Sequence, residues 1–192
     1  TDMVFTATYY SDSFEEEGEY IQFTSKSQTI ETYGLRLSEV IDKVLQETGQ
    51  DSVQIIAHSM GGLVTRSYLQ NFGEEKVERV VFVGTPHNGV TGSIEQFCPW
   101  IGSENECRDM SQGSQFLQKV NAYTPRLPML NIIGIGCGNG FDGVVTNESA
   151  LYPPAENVVI EGNCNGQFQL HSKLIRPSME RLAYDRIEQF IE

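Results

Sequence analysis

Apolar residues between Glu31 and Thr48 fall at Leu37, Val40, Ile41, Val44 and Leu45, the spacing of a helix with one buried face, and Gly49 supplies its stop. Two short apolar runs follow, Ser52 to Ala57 (SVQIIA) and Val77 to Val83 (VERVVFV), with a second helical stretch from about Met60 to Asn71 between them. Short runs without strict alternation are expected of strands covered on both faces of a parallel sheet. Met129 to Cys137 (MLNIIGIGC) and Asn157 to Glu161 (NVVIE) read as two further buried strands. Met3 to Tyr10 (MVFTATYY), rich in β-branched and aromatic residues, reads as a strand ahead of them all, followed by a polar loop. A short helix is expected around Ser114 to Asn121 and a closing helix over Ser178 to Ile191, where Met179, Leu182, Ile187 and Phe190 share a face. Strands alternating with helices, without an internal repeat, predict an α/β fold with a mainly parallel sheet.

The chain of 192 residues is long enough for one domain with a substantial core. Its formal net charge of -13, with no run of Lys and Arg, opposes binding to nucleic acid or to anionic lipid. The acidic stretch from Asp12 to Glu19 reads as a solvated loop. Four cysteines, Cys98, Cys107, Cys137 and Cys164, lie outside any metal-ligand spacing and can form two disulfides, which favours export over the cytosol. Buried free thiols are the competing reading.

Candidate chemistry sits where the run from Ser52 to Ala57 ends. Ala57-His58-Ser59-Met60-Gly61-Gly62 joins a strand to a helix, the setting of a nucleophile elbow. A serine hydroxyl becomes an effective nucleophile when a sharp turn projects it towards a base, and the turn demands small residues two before and two after it. Ala57 and Gly61 meet that demand. The helix start also aims the backbone N–H of Met60 at a developing oxyanion. The plainer alternative is a serine that simply caps a helix N-terminus.

AHSMGG resembles the elbow of small bacterial lipases and esterases of the alpha/beta-hydrolase superfamily, in which Ala replaces the first Gly of G-x-S-x-G. The loop GTPHNG at Gly84–Gly89 is also similar to one that recurs among them. The resemblance implies a triad in the chain order Ser, acid, His. Asp142 follows the MLNIIGIGC strand in the sequence DGVV, where the family places its acid, and Glu148 is a more distant alternative. His58 and His87 precede the acid, which leaves His171 as the base. His58 is then expected to serve local packing, and His87 to brace its loop. The implied reaction is hydrolysis of carboxylic esters such as acylglycerols through an acyl-enzyme, with no metal or organic cofactor. Activity is then expected to fall at acid pH as His171 takes up a proton.

The same resemblance marks what the sequence lacks. The family often signals its other oxyanion donor with His-Gly, a pair this chain does not contain. Its first expected strand, Met3 to Tyr10, resembles the family's fourth strand, so an upstream fragment or a second chain is expected to complete the sheet of this single domain, residues 1–192. The interval 90–128 is the expected place of a lid, with a Cys98–Cys107 bond closing a loop around Trp100. A Cys137–Cys164 bond is expected to hold the acid and base loops together, although four cysteines allow other pairings. A thioesterase, acyltransferase or lipid-anchor deacylase shares the same triad, and a binding protein on the same fold is the non-enzymatic alternative.

Overall fold

The computed structural model describes residues 3–7, 15–16, 19–20, 28–91, 103–138, 140–164 and 169–192. A two-residue antiparallel pair, β1 (Glu15–Glu16) and β2 (Glu19–Tyr20), precedes helix α1 (Ile30–Thr48). Thr29 caps α1 by accepting the Thr32 N–H at 3.3 Å, and Gly49 ends it. The chain continues through β3 (Val53–His58), α2 (Met60–Phe72), β4 (Val77–Val83), α3 (Glu104–Met110) and α4 (Gln115–Asn121). It closes with β5 (Met129–Ile135), α5 (Asn147–Ala150), β6 (Glu156–Glu161), α6 (Leu170–Lys173) and α7 (Arg181–Ile191).

Strands β3, β4, β5 and β6 form one parallel sheet in that order. Its two faces are read directly from β4. Val80 and Phe82 join Ile41 of α1, Tyr68 and Leu69 of α2, and Met129 in one core cluster. Val81 and Val83 point the other way, into a cluster with Ile132, Ile160, Leu170, Leu174, Ala183 and Ile187. A strand covered by helices on both faces has no reason to alternate in polarity, so VERVVFV is an unbroken apolar run after its first three residues, from Val80 to Val83.

The interval expected to carry a lid contributes partly to the core. Met110 of α3 and Phe116, Leu117 and Val120 of α4 pack with Ile30, Tyr33, Met60 and Leu63. Asp109 accepts the Ile30 N–H at 3.0 Å, and Glu106 accepts the Tyr33 hydroxyl, which ties α3 to the start of α1. Cys98 and Trp100 lie outside the described residues, and so does the expected Cys98–Cys107 closure.

The strand expected over Met3–Tyr10 is a correction. Residues 3–7 have no regular structure, and Met3, Val4 and Phe5 are 60, 89 and 40 % exposed; residues 8–10 lie outside the described residues. β-propensity records how well a side chain fits a half-buried pleated surface, and residues 3–7 have no such surface beside them. Among the described residues, β3 is an edge strand, and Ile56 on it is 52 % exposed.

Helix α2 packs closely on the loop that follows β4. A Cβ on Gly62 would stand 2.0 Å from the Thr85 hydroxyl oxygen, inside any allowed contact. Gly62→Ala is therefore expected to destabilise the fold by about 1–3 kcal/mol through overpacking, read as a lower urea midpoint with unchanged slope.

Candidate active site

The ladder of the parallel sheet runs on past the strand ends. Ser59 N–H donates to Val83 O, Gly84 N–H to Ile132 O, and Gly162 N–H to Ile135 O, each at 2.9 Å. Ser59, Gly84 and the loops after β5 and β6 therefore share one edge of the sheet, where the carboxyl ends of its strands meet.

Ser59 turns the chain from β3 into α2 with φ 55° and ψ -130°. Among the described residues it is the one non-glycine with positive φ. Such a conformation costs about 1–3 kcal/mol and persists where surrounding structure imposes it. Here the β3–β4 ladder holds one side of the turn, and α2, buried continuously from Gly62 to Leu69, holds the other. The Ser59 hydroxyl makes no capping bond to α2, which removes the plain helix-cap reading. Met60 is the first residue of α2, so its N–H has no acceptor four residues back within the helix and points out of the positive end of the helix dipole.

Asp142 lies in the loop after β5 and is 1 % exposed. Its Oδ1 accepts the N–H groups of Val144 and Val145 at 2.9 and 2.7 Å. Its Oδ2 accepts from Nδ1 of His171 at 2.6 Å. The two loops are also joined by the backbone, with His171 N–H donating to Asp142 O at 2.9 Å. This arrangement leaves Nε2 as the free nitrogen of the pair and makes a neutral His171 a proton acceptor there. Glu148, the alternative acid, is exposed on α5 and has no such link. A disulfide between Cys137 and Cys164 joins the segments that lead into the loops of Asp142 and His171.

The sequence reading missed what lies under this pair. Gly84, the first residue of GTPHNG, has φ 57°, and a Cβ there would stand 3.0 Å from His171 Nδ1 and 3.1 Å from Asp142 Oδ2. The available signal was a glycine directly after a buried strand.

The two other histidines are held neutral. The ring of His58 lies 4.6 Å from that of His171, and its Nε2 is 2.9 Å from the His171 main-chain oxygen, a link that local packing alone does not describe. Burial, then the neighbouring His171, pushes the His58 pKa from 6.5 down to about 4. His87 is fully enclosed, stacked on Tyr152 at 4.3 Å and edge-on to Phe82. Its pKa is driven well below the ordinary value by burial, with the Arg66 guanidinium adding in the same direction. Arg66 donates to His87 O at 3.2 Å and to Val120 O at 3.0 Å, so His87 braces its loop through a buried arginine.

Residues 20–105 match the family model described as alpha/beta hydrolase fold. The structure resembles the mature lipase BlEst2 of Bacillus licheniformis with a TM-score of 0.66 and 19 % identity, covering 88 % of this chain and 76 % of that one. It resembles the lin2722 product of Listeria innocua with a TM-score of 0.58 and 17 % identity, over 86 % of this chain and 67 % of that one. For the naproxen esterase of Bacillus subtilis the TM-score is 0.52 and the identity 18 %, over 91 and 70 % of the two chains. The fold is that of the alpha/beta hydrolases: a parallel four-stranded sheet among the described residues, flanked by helices.

Two outcomes follow. Gly84→Ala is expected to strain the backbone and push the His171–Asp142 pair apart, with a rate loss of about a hundredfold on any substrate turned over here. Acid is expected to destabilise the protein through His58. The unfolded chain takes a proton near pH 6.5, whereas the folded ring refuses it until about 4. That contribution is present in full above pH 6.5 and is lost as the pH falls towards 4, on the order of 3 kcal/mol. Urea unfolding at pH 7 and pH 5 should therefore show a smaller loss for His58→Gln than for the parent protein, and equal losses would contradict this.

Proposed function

On this alpha/beta-hydrolase fold, we propose that the protein is a serine hydrolase that cleaves carboxylic esters, with Ser59 as nucleophile, His171 as base and Asp142 as the residue that orients it. The observation that carries this reading is a strained, uncapped serine at the same sheet edge as a buried His–Asp pair. Two of the structural neighbours are a lipase and an esterase, which supports the ester class.

In this mechanism the Ser59 oxygen attacks the ester carbonyl while His171 Nε2 takes the hydroxyl proton. The Asp142 carboxylate accepts from Nδ1 and stabilises the imidazolium formed. The tetrahedral oxyanion is met by the Met60 N–H, and a second N–H is expected from a segment on the open side of β3. A missing donor typically costs about 10²–10³-fold in kcat. Collapse of the intermediate expels the alcohol, which receives the proton from His171. Water then attacks the acyl-enzyme, with His171 as base, and releases the acid and free Ser59. The Cys137–Cys164 bond supports an exported protein, since such bonds persist in oxidising compartments.

Hydrolysis of p-nitrophenyl esters of graded acyl length, alongside thioester and amide analogues, tests the proposal. Ester turnover should exceed amide turnover, and Ser59→Ala should lower kcat by about 10⁵–10⁶-fold without lowering the melting temperature. Asp142→Asn should cost about 10⁴-fold. An active Ser59→Ala protein would overturn the assignment, and thioester turnover above ester turnover would move the substrate class.

A further inference from the structure

His58 stands directly before Ser59, and the mechanism above gives it no chemical step. Its side chain nonetheless spans from the end of β3 to the base. A main-chain carbonyl can only accept, so the 2.9 Å contact requires His58 Nε2 to carry the proton and donate it to His171 O. In the neutral ring Nδ1 is then unprotonated.

The base needs such a hold. Helix α6, which carries His171, is four residues long, and its cap, Gln169, makes no side-chain bond to it. One turn of helix cannot fix its own orientation, because nucleation of an isolated turn is unfavourable. Two of the bonds to His171 come from Asp142, one to its N–H and one to Nδ1. Both bind the base to the loop after β5, and neither refers it to the serine. The bond to its carbonyl comes from the residue adjacent to Ser59.

We infer that His58 is a positioning residue: by donating Nε2–H to the His171 carbonyl it clamps the base to the strand that carries Ser59 and sets the distance between imidazole and hydroxyl. The inference rests on the triad reading of the proposed function. A neutral ring suits this place. When His171 holds the proton of Ser59 its imidazolium lies 4.6 Å from the His58 ring, and a second cation there would oppose it, with the Asp142 carboxylate as the facing anion.

His58→Phe keeps a flat ring of similar size and deletes the donor. His58→Gln offers an amide N–H at nearly the reach of Nε2, and His58→Asn offers one that is too short. Three readouts apply: kcat and KM on a p-nitrophenyl ester, the rate of phosphonylation by a fluorophosphonate, and the proton NMR resonance of His171 Nδ1–H in its bond to Asp142. We expect His58→Phe to lower kcat and phosphonylation together by about ten- to a hundredfold, to leave KM little changed, and to broaden the resonance. His58→Gln should restore all three towards the parent values, while His58→Asn should resemble His58→Phe.

A His58→Phe protein with parental rates and a sharp resonance would overturn the clamp, and so would equal impairment in the Phe and Gln variants. If the Phe variant does not fold, the Gln and Asn pair decides by the same readouts, with equal rates overturning it. The resonance needs no substrate. Should the parent protein neither hydrolyse esters nor react with the fluorophosphonate, the hydrolase reading fails, while broadening in His58→Phe and its reversal in His58→Gln still test the clamp.

Discussion

A carboxylate that is 1 % exposed must have both oxygens satisfied, and at Asp142 this requirement organises the surrounding loops. One oxygen takes the N–H groups of Val144 and Val145, which folds the DGVV segment back on itself. The other is left for His171, and the backbone bond between the same two residues fixes the ring plane to the loop. The pair needs a floor without side chain, which Gly84 provides, and lateral closure, which the Cys137–Cys164 bridge provides. Substitutions at any of these positions act on the His171–Asp142 pair.

The serine is held by different means. Its turn is strained, and the strain is borne by a parallel ladder on one side and a buried helix on the other. Gly62 lets that helix sit directly on Thr85, so the same contact that anchors α2 also fixes the path of the loop after β4. Ser59 and His171 thus belong to two separately braced units, one built on β3 and α2, the other on the loops after β5 and β6. Their relative placement rests on the sheet and on the bond from His58 to His171.

How much of this was legible depended on the range of the interaction. Elements with a long period or a continuous apolar run stood out, because burial on one or both faces writes itself into the sequence, as in α1 and VERVVFV. One-turn helices did not, since α5 and α6 are too short to carry a period. Met3–Tyr10 misled because its side chains suit a sheet surface that residues 3–7 do not have beside them. The candidate site was legible as three residues in an order, drawn from a resemblance at AHSMGG and DGVV. Its supports were not. Gly84 and His58 matter through contacts 58 and 113 residues away in the chain, and no local pattern records them.

The proposed chemistry requires Ser59 to be a nucleophile rather than an unusually strained turn residue. Reaction of the intact protein with a fluorophosphonate, followed by proteolysis and mass-spectrometric mapping, reads this directly. A nucleophilic Ser59 should give a single stoichiometric adduct on the peptide that carries it, absent when the protein is unfolded before labelling. An unlabelled protein, or an adduct on a different serine, would contradict it.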